Sequence, residues 1–279
     1  MIPYLLSVLT LLFALISILI LRRGVRAGIT EGWPAILLSA SIASFIYLYG
    51  AWVFLSIYLD YIFAIIYVTL FIFGIARRPS VVQVKRSATK AFFSLLISAV
   101  FFMLSVLYFT GTIRNSYRIA HLRLPFKNGR YFVLQGGKGL PANAFHYGLR
   151  GAIFAMDIVK LNNAGNRANS VFSTRLDDYA IFQDTIYSPC TGIVKHVATN
   201  NPDNIPPIRK RGPTNTNHVL LETNDMYVFM GHFSFGKVFV KEGEKVEAGQ
   251  PLGLAGNSGF SIEPHLHIQA HENTHRGLP

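Results

Sequence analysis

Hydrophobic and polar positions divide this chain into two patterns. Up to about residue 112 the apolar residues come in long blocks, and beyond it they come in short β-rich runs separated by Gly, Pro and Asn. Residues 4–21 form an uninterrupted apolar run of the length that crosses a bilayer as a helix. A cleaved signal peptide would need a basic region before the run and a small-residue cleavage site after it; neither is present, so a retained span is predicted. A second apolar stretch opens at Pro34, is rich in small residues (Ser39, Ala40, Ser41, Ala43, Ser44) and continues to about Leu55. Asp60 stands in a short break, followed by apolar stretches at 61–76 and at about 91–110. The pattern predicts four spans, or three if the second and third form one broken element.

Composition agrees with a chain that lies partly in the lipid bilayer. Hydrophobic residues make up 51% of the 279 and charged residues only 14%. The formal net charge of +12 suits an anionic surface: membrane phospholipid, cell-wall polymer or nucleic acid. No zinc knuckle, helix-turn-helix signature or RNA-binding aromatic motif is present, so no nucleic-acid partner is expected. Cys190 is the only cysteine, which excludes an intramolecular disulfide and a cysteine-based zinc cluster. Oligomeric state is not legible.

Loop charges predict the orientation. Arg22, Arg23 and Arg26 follow the first span, and Arg77, Arg78, Lys85, Arg86 and Lys90 lie between the third and fourth, whereas the turn between the second and third offers only Asp60. The positive-inside rule places both basic loops in the cytoplasm, and therefore the N-terminus and everything after residue 112 outside. Arg114, Arg118, Arg123 and Lys127 oppose this, but long domains cross largely regardless of such charges. The expected organisation is a multi-pass region at 1–112, a juxtamembrane connector at 113–139 and an extracytoplasmic domain at 140–279.

The second half reads as an antiparallel all-β domain, with a first strand near 130–134 and further strands at 154–159, 192–197, 218–222, 226–232, 237–240 and 266–270. Residues 200–216, with several prolines and the basic Arg209-Lys210-Arg211, read as a long exposed loop able to approach an anionic polymer. Near the end, Gly256-Asn257-Ser258-Gly259 leads into Pro264-His265-Leu266-His267. In a strand, residues two apart share a face, so the two imidazoles point into one space. That arrangement suits a metal ligand beside an acid/base, or else a pair of surface histidines on an edge strand.

The order of short motifs is more specific. Asp184 to Val194, Asn217-His218-Val219, Tyr227 to His232, the hairpin pattern from Gly243 to Gly253, Gly256 to Gly259 and Pro264 to His267 resemble, in that order, the motifs of lysostaphin/LytM-type zinc metallopeptidases. The match covers about 140–279. The resemblance implies a duplicated-hybrid-motif-like β fold and a zinc-dependent endopeptidase that cuts peptides of bacterial peptidoglycan with a zinc-activated water. It makes His267 a zinc ligand and places His232 and His265 beside the reacting water and the scissile carbonyl as catalytic residues. Uncoordinated imidazoles there can accept the water's proton and stabilise or protonate the tetrahedral intermediate. The family usually adds a further strand after this motif, so the domain is expected to be truncated at Pro279.

The first metal motif departs from the family's His-x-x-x-Asp. The aspartate corresponds to Asp157, but Ile153 stands where the histidine should be. Asp157 is flanked by apolar residues, where burial without a partner would be costly. His146 is the upstream candidate to replace the missing ligand. If the chain folds it back to Asp157, the metal set is His146, Asp157 and His267; if not, the domain is a catalytically inactive relative that binds cell-wall peptide or regulates a hydrolase. A phosphotransferase IIA-like domain also shares the hairpin and paired histidines, but works in the cytoplasm. His121, His196, His218, His271 and His275 receive no role.

Overall fold

The computed structural model describes residues 2–76, 87–113, 119–148, 152–223 and 226–272. The chain separates into two compact units, Met1–Thr110 and Gly111–Pro279. Arg77, Arg78, Lys85 and Arg86, on which the orientation argument leans, lie outside the described residues, as do Arg114, Arg118, His275 and Pro279.

The first unit is made of helices α1 (Ile2–Arg26), α2 (Ile29–Tyr49), α3 (Ile57–Ala76) and α4 (Ala88–Thr110). All four are long and apolar enough to cross a membrane. Leu5, Ile65 and Phe109 show how much apolar surface the unit turns outward, being 60%, 66% and 76% exposed. Small residues do bring helices together: a Cβ on Gly32 would stand 1.9 Å from the Gly24 carbonyl oxygen, so α1 and α2 touch backbone to backbone at their shared end. Buried hydroxyls find partners inside the unit, Ser39 donating to the Ser17 carbonyl at 2.6 Å and sharing a hydrogen bond of 2.8 Å with Tyr67.

Two boundaries differ from the sequence expectation. The second helix starts at Ile29, so Pro34 lies within it, near enough to the N-terminus that little of the hydrogen-bond ladder is lost. Asp60 belongs to the first turn of α3, where a carboxylate faces the positive end of the helix dipole. The break lies earlier, around the 3₁₀ turn Trp52–Phe54.

The second unit contains β1 (Arg130–Gln135), the single helical turn α5 (Ala144–Tyr147), β2 (Met156–Leu161), β3 (Thr185–Tyr187), β4 (Gly192–Ala198), β5 (His218–Glu222), β6 (Met226–Gly231), β7 (Phe233–Val238), β8 (Lys245–Val246), β9 (Pro251–Ala255) and β10 (Leu266–Glu272). A seven-stranded sheet has the order β1-β2-β10-β6-β5-β4-β8 and a three-stranded sheet the order β3-β9-β7. Every strand pairing is antiparallel. The α-helical apolar region is thus followed by an all-β antiparallel domain. Its core holds Ile158, Ile186, Val194, Leu221, Met230, Phe233, Leu252 and Leu266.

The stretch read as a connector is built into this domain: β1 pairs with β2, and Leu122, Phe126 and Tyr131 pack on the core. The strand expected at 237–240 begins earlier, at Phe233, because that side chain is fully buried and anchors β7 to β9. Alternation then sets the site. On β2 and β10 the core takes Ile158, Leu266 and Ile268, which leaves Asp157, His267 and Gln269 on the opposite face.

Candidate metal centre

Strand register brings the first pair together. His267 is the direct cross-strand partner of Asp157 on one side and of Gly231 on the other, and its Nδ1 lies 3.0 Å from Asp157 Oδ1. Its Nε2 lies 3.3 Å from Gln269 Oε1 on the same strand face.

His146 arrives from outside the sheet. It sits on α5, and its Nε2 is 3.3 Å from Asp157 Oδ2 with the ring buried. Asn143, fully buried, donates through Nδ2 to the carbonyls of Ile153 at 3.0 Å and Ala155 at 3.1 Å. Its Oδ1 therefore faces His146 Nδ1 at 2.9 Å as an acceptor, which puts the imidazole proton on Nδ1 and the lone pair on Nε2. Ile153 contributes only its backbone carbonyl to the arrangement.

Candidate ligand atoms of His146, Asp157 and His267 all lie within 4.8 Å of one another. The donor set fits a zinc ion. A lone pair on His146 Nε2 aimed at a carboxylate oxygen is repulsive until a cation stands between them, and two imidazoles with one carboxylate form a usual zinc set. Buried partners on the far side of each ring are the supports such ligands need.

His265 and His232 stand beside this trio. His265 Nε2 is 3.5 Å from Asp157 Oδ1, and its Nδ1 donates to the Glu263 carbonyl at 2.8 Å. His232 Nδ1 donates to the Ser258 carbonyl at 2.8 Å. The His232 ring centroid is 4.5 Å from that of His265 and 5.9 Å from that of His267. Both rings thus turn Nε2 inward. His232 has φ 68, a left-handed conformation that non-glycine residues seldom adopt, where the chain turns from β6 into β7.

The turn before His265 is a buried network. Gly259 has φ +73, and a Cβ there would meet Thr216 Oγ1 at 2.0 Å, so both backbone and space require glycine. Ser258 Oγ accepts from the Asn217 amide and donates to the Phe233 carbonyl, and Ser261 Oγ donates to Asn257 Oδ1 at 2.6 Å. Arg167 Nε donates to both oxygens of Glu263 at 2.9 and 3.0 Å in a buried ion pair.

Electrostatics follow from this packing. Burial pushes the Asp157 pKa up, but the His265 imidazole facing it, with His267 beside it, outweighs burial and holds the carboxyl well below the usual range. Burial, with the neighbouring His265 and His267, holds His232 well below an ordinary histidine. Burial opposes charge on His265 too, but Asp157 outweighs it and raises the pKa.

All five residues singled out in the sequence, His146, Asp157, His232, His265 and His267, meet in one place. Asn143, Arg167, Glu263 and Gln269 were missed; the sequence signals for two of them were Asn143 three residues before His146 and Gln269 two residues after His267 on one strand face. His196 and His218 form a separate pair, with Nδ1 of His196 2.8 Å from Nε2 of His218. His271 Nδ1 is buried without a hydrogen-bond partner among the described residues. The loop at 200–216 is less exposed than expected, because Asn204 and Thr216 are buried.

Residues 177–279 match the model of the family described as peptidase family M23. The resemblance to lysostaphin/LytM-type peptidases carried by the motifs is borne out over that stretch, which includes His232, His265 and His267 but begins after His146 and Asp157. Peptidoglycan DD-endopeptidase ShyA of Vibrio cholerae is 34% identical over 67 residues, which is 24% of this chain and 15% of that relative's length. Among solved structures, the catalytic domain of lysostaphin from Staphylococcus simulans is 18% identical with a TM-score of 0.30, covering 52% of this chain and 82% of that one. A zinc containing peptidase from Vibrio cholerae is 17% identical with a TM-score of 0.28, covering 60% and 39%.

Proposed function

We propose that this chain is a membrane-anchored zinc metalloendopeptidase that hydrolyses peptide bonds of bacterial cell-wall peptidoglycan, with its β-domain on the extracytoplasmic side of the cell membrane. The observation that carries the reading is the convergence of His146, Asp157 and His267, with ligand atoms within 4.8 Å of one another, beside two imidazoles held by carbonyls. The approach of His146 to Asp157 supports a three-ligand set despite Ile153, and so favours this reading over a non-catalytic relative. The family match and the peptidoglycan endopeptidase relative support the substrate class. The four helices supply the anchor.

His146 Nε2, the Asp157 carboxylate and His267 Nδ1 would hold the ion. Zinc in such a site polarises a carbonyl and brings a water's pKa toward neutrality. His232 and His265 do the proton work. Each has its Nδ1 proton committed to a carbonyl, so each presents Nε2 to the reacting atoms. His232, kept neutral by burial, accepts a proton there, and His265 donates a hydrogen bond or a proton to the oxygen or nitrogen that gains negative charge.

The test uses the whole chain purified in detergent. Near-equimolar zinc, and release of peptide fragments from cross-linked peptidoglycan that stops on chelation and returns with zinc, are expected. Absence of bound zinc, or zinc without hydrolysis, would sink the reading.

A further inference from the structure

The loop between β4 and β5 carries a cluster that the metal site does not use. Asn204, only 1% exposed, ties that loop to the turn before His265. Its Nδ2 donates to the carbonyls of Gly259 at 2.8 Å and Ser261 at 3.0 Å. Its Oδ1 accepts from the Lys210 amide at 3.2 Å and from the Arg211 guanidinium at 3.3 Å. The basic loop and the turn are thereby one fixed unit.

On that unit the guanidinium carbon of Arg209 stands 3.5 Å from the centroid of the Phe260 ring. Phe260 stacks on Phe145, centroids 6.2 Å apart, and Phe145 meets the ring of His146 edge-on at 5.6 Å. A line of contacts thus leads from Arg209 to the candidate metal centre. Among the described residues the lysine and arginine ion pairs of the β-domain engage Lys160, Arg167, Lys195 and Lys245, and leave Arg209 out. A guanidinium lying on an aromatic ring has its face satisfied, while its N–H donors point outward in the plane. That planar fork matches a carboxylate, which it can bind through two parallel hydrogen bonds.

We propose that Arg209, held on Phe260, is a carboxylate-binding subsite, and that the substrate is a peptide bearing a free carboxylate within a few residues of the cleaved bond. The proposal rests on the peptidase reading and adds its substrate chemistry. The loop fastened by Asn204 fixes Arg209 before the peptide arrives, so little ordering cost falls on binding.

The experiment uses the whole chain in detergent and pairs of peptides of one sequence, carrying at one of the few positions either side of the cleavable bond either a side-chain carboxylate or its carboxamide. Turnover is measured on the zinc-loaded chain, and equilibrium binding on the chelated chain, where no cleavage intervenes. The carboxylate peptide is expected to be bound and cleaved better on the order of tenfold. Arg209→Gln should bring both ratios close to one, and Arg209→Lys should keep only part of the preference, because an ammonium offers no fork. An unchanged carboxylate-to-carboxamide ratio in Arg209→Gln overturns the proposal. So does a variant whose only defect is weaker capture on phosphatidylglycerol vesicles, which would assign Arg209 to a lipid surface. If the parent chain cleaves neither peptide, the peptidase reading fails, and the binding ratios still decide the role of Arg209.

Discussion

Nδ1 of His146 donates to Oδ1 of Asn143 at 2.9 Å, and the amide nitrogen of the same Asn143 is held by the carbonyls of Ile153 and Ala155. The asparagine thus connects the segment just before Asp157 to a histidine that arrives from a separate helical turn, and it fixes which ring nitrogen faces the carboxylate. Replacing it by leucine should weaken zinc binding by about 10- to 100-fold. Asn143→Asp keeps an acceptor for His146 but loses the two amide donations, so it should retain more zinc affinity than leucine. Competition with a chromophoric chelator ranks the variants, and equal affinity in all of them would remove Asn143 from the site's support.

The two histidines of Pro264-His265-Leu266-His267 should separate by assay. His267→Ala removes the Nδ1 that faces Asp157, and should abolish hydrolysis together with most zinc binding. His265→Ala leaves the proposed ligand trio in place, and should lower hydrolysis by about 100- to 10,000-fold while largely keeping the metal. Metal content and turnover measured on the same preparations decide this. Equal metal loss in both would mean the ligand assignment is wrong.

What was legible in the sequence depends on how local each relationship is. His265 and His267 could be placed on one face, and the strands bearing Asp157 and His267 could be found, because alternation with buried neighbours is a local pattern. The cross-strand register of Asp157 with His267 joins residues far apart in the chain, and nothing in either segment announces it. His146 was reachable only as a candidate, since its approach depends on a turn whose anchor, Asn143, works through backbone carbonyls that sequence does not display. The helices were found from apolar blocks, but their ends were misplaced at Pro34 and Asp60, because breakers and charges near an N-terminus are tolerated within a helix. The Arg167–Glu263 pair was invisible for the opposite reason: each residue reads as surface, and only tertiary packing buries both.

That buried pair yields a third prediction. Glu263 gives its backbone carbonyl to His265 Nδ1 and its carboxylate to Arg167, so Arg167 positions the turn without touching the reacting atoms. Arg167→Met leaves the carboxylate buried and uncompensated, which should cost about 3–5 kcal/mol. Arg167→Met combined with Glu263→Met removes both charges and should recover much of that loss. Denaturant unfolding reads the stability. Below the unfolding threshold, the single variant should lose kcat more than it raises KM; a loss confined to stability would make the pair purely structural.

The last prediction concerns pH and a site away from the metal. Burial, the largest influence, lowers the pKa of His218 despite its hydrogen bond to the Thr216 carbonyl, and His196 lowers it further. His218 Nδ1 donates to that carbonyl at 2.9 Å, so its Nε2 must stay unprotonated to accept from His196 Nδ1 at 2.8 Å. Glu242, 3.8 Å from His196 Nε2, acts the other way on His218 without overturning the shift. Because the folded pKa lies below the unfolded value near 6.5, the unfolded chain binds the proton first as pH falls. Stability from this group is therefore full above about pH 7 and declines as pH drops through 6.5 toward the lower folded value. His232 imposes a slope of the same sign, so the measurement is a difference. His218→Gln should flatten the fall in melting temperature between about pH 7 and pH 5 relative to the parent, read by thermal unfolding of the full chain. Identical slopes in the two proteins would show that His218 does not titrate against folding.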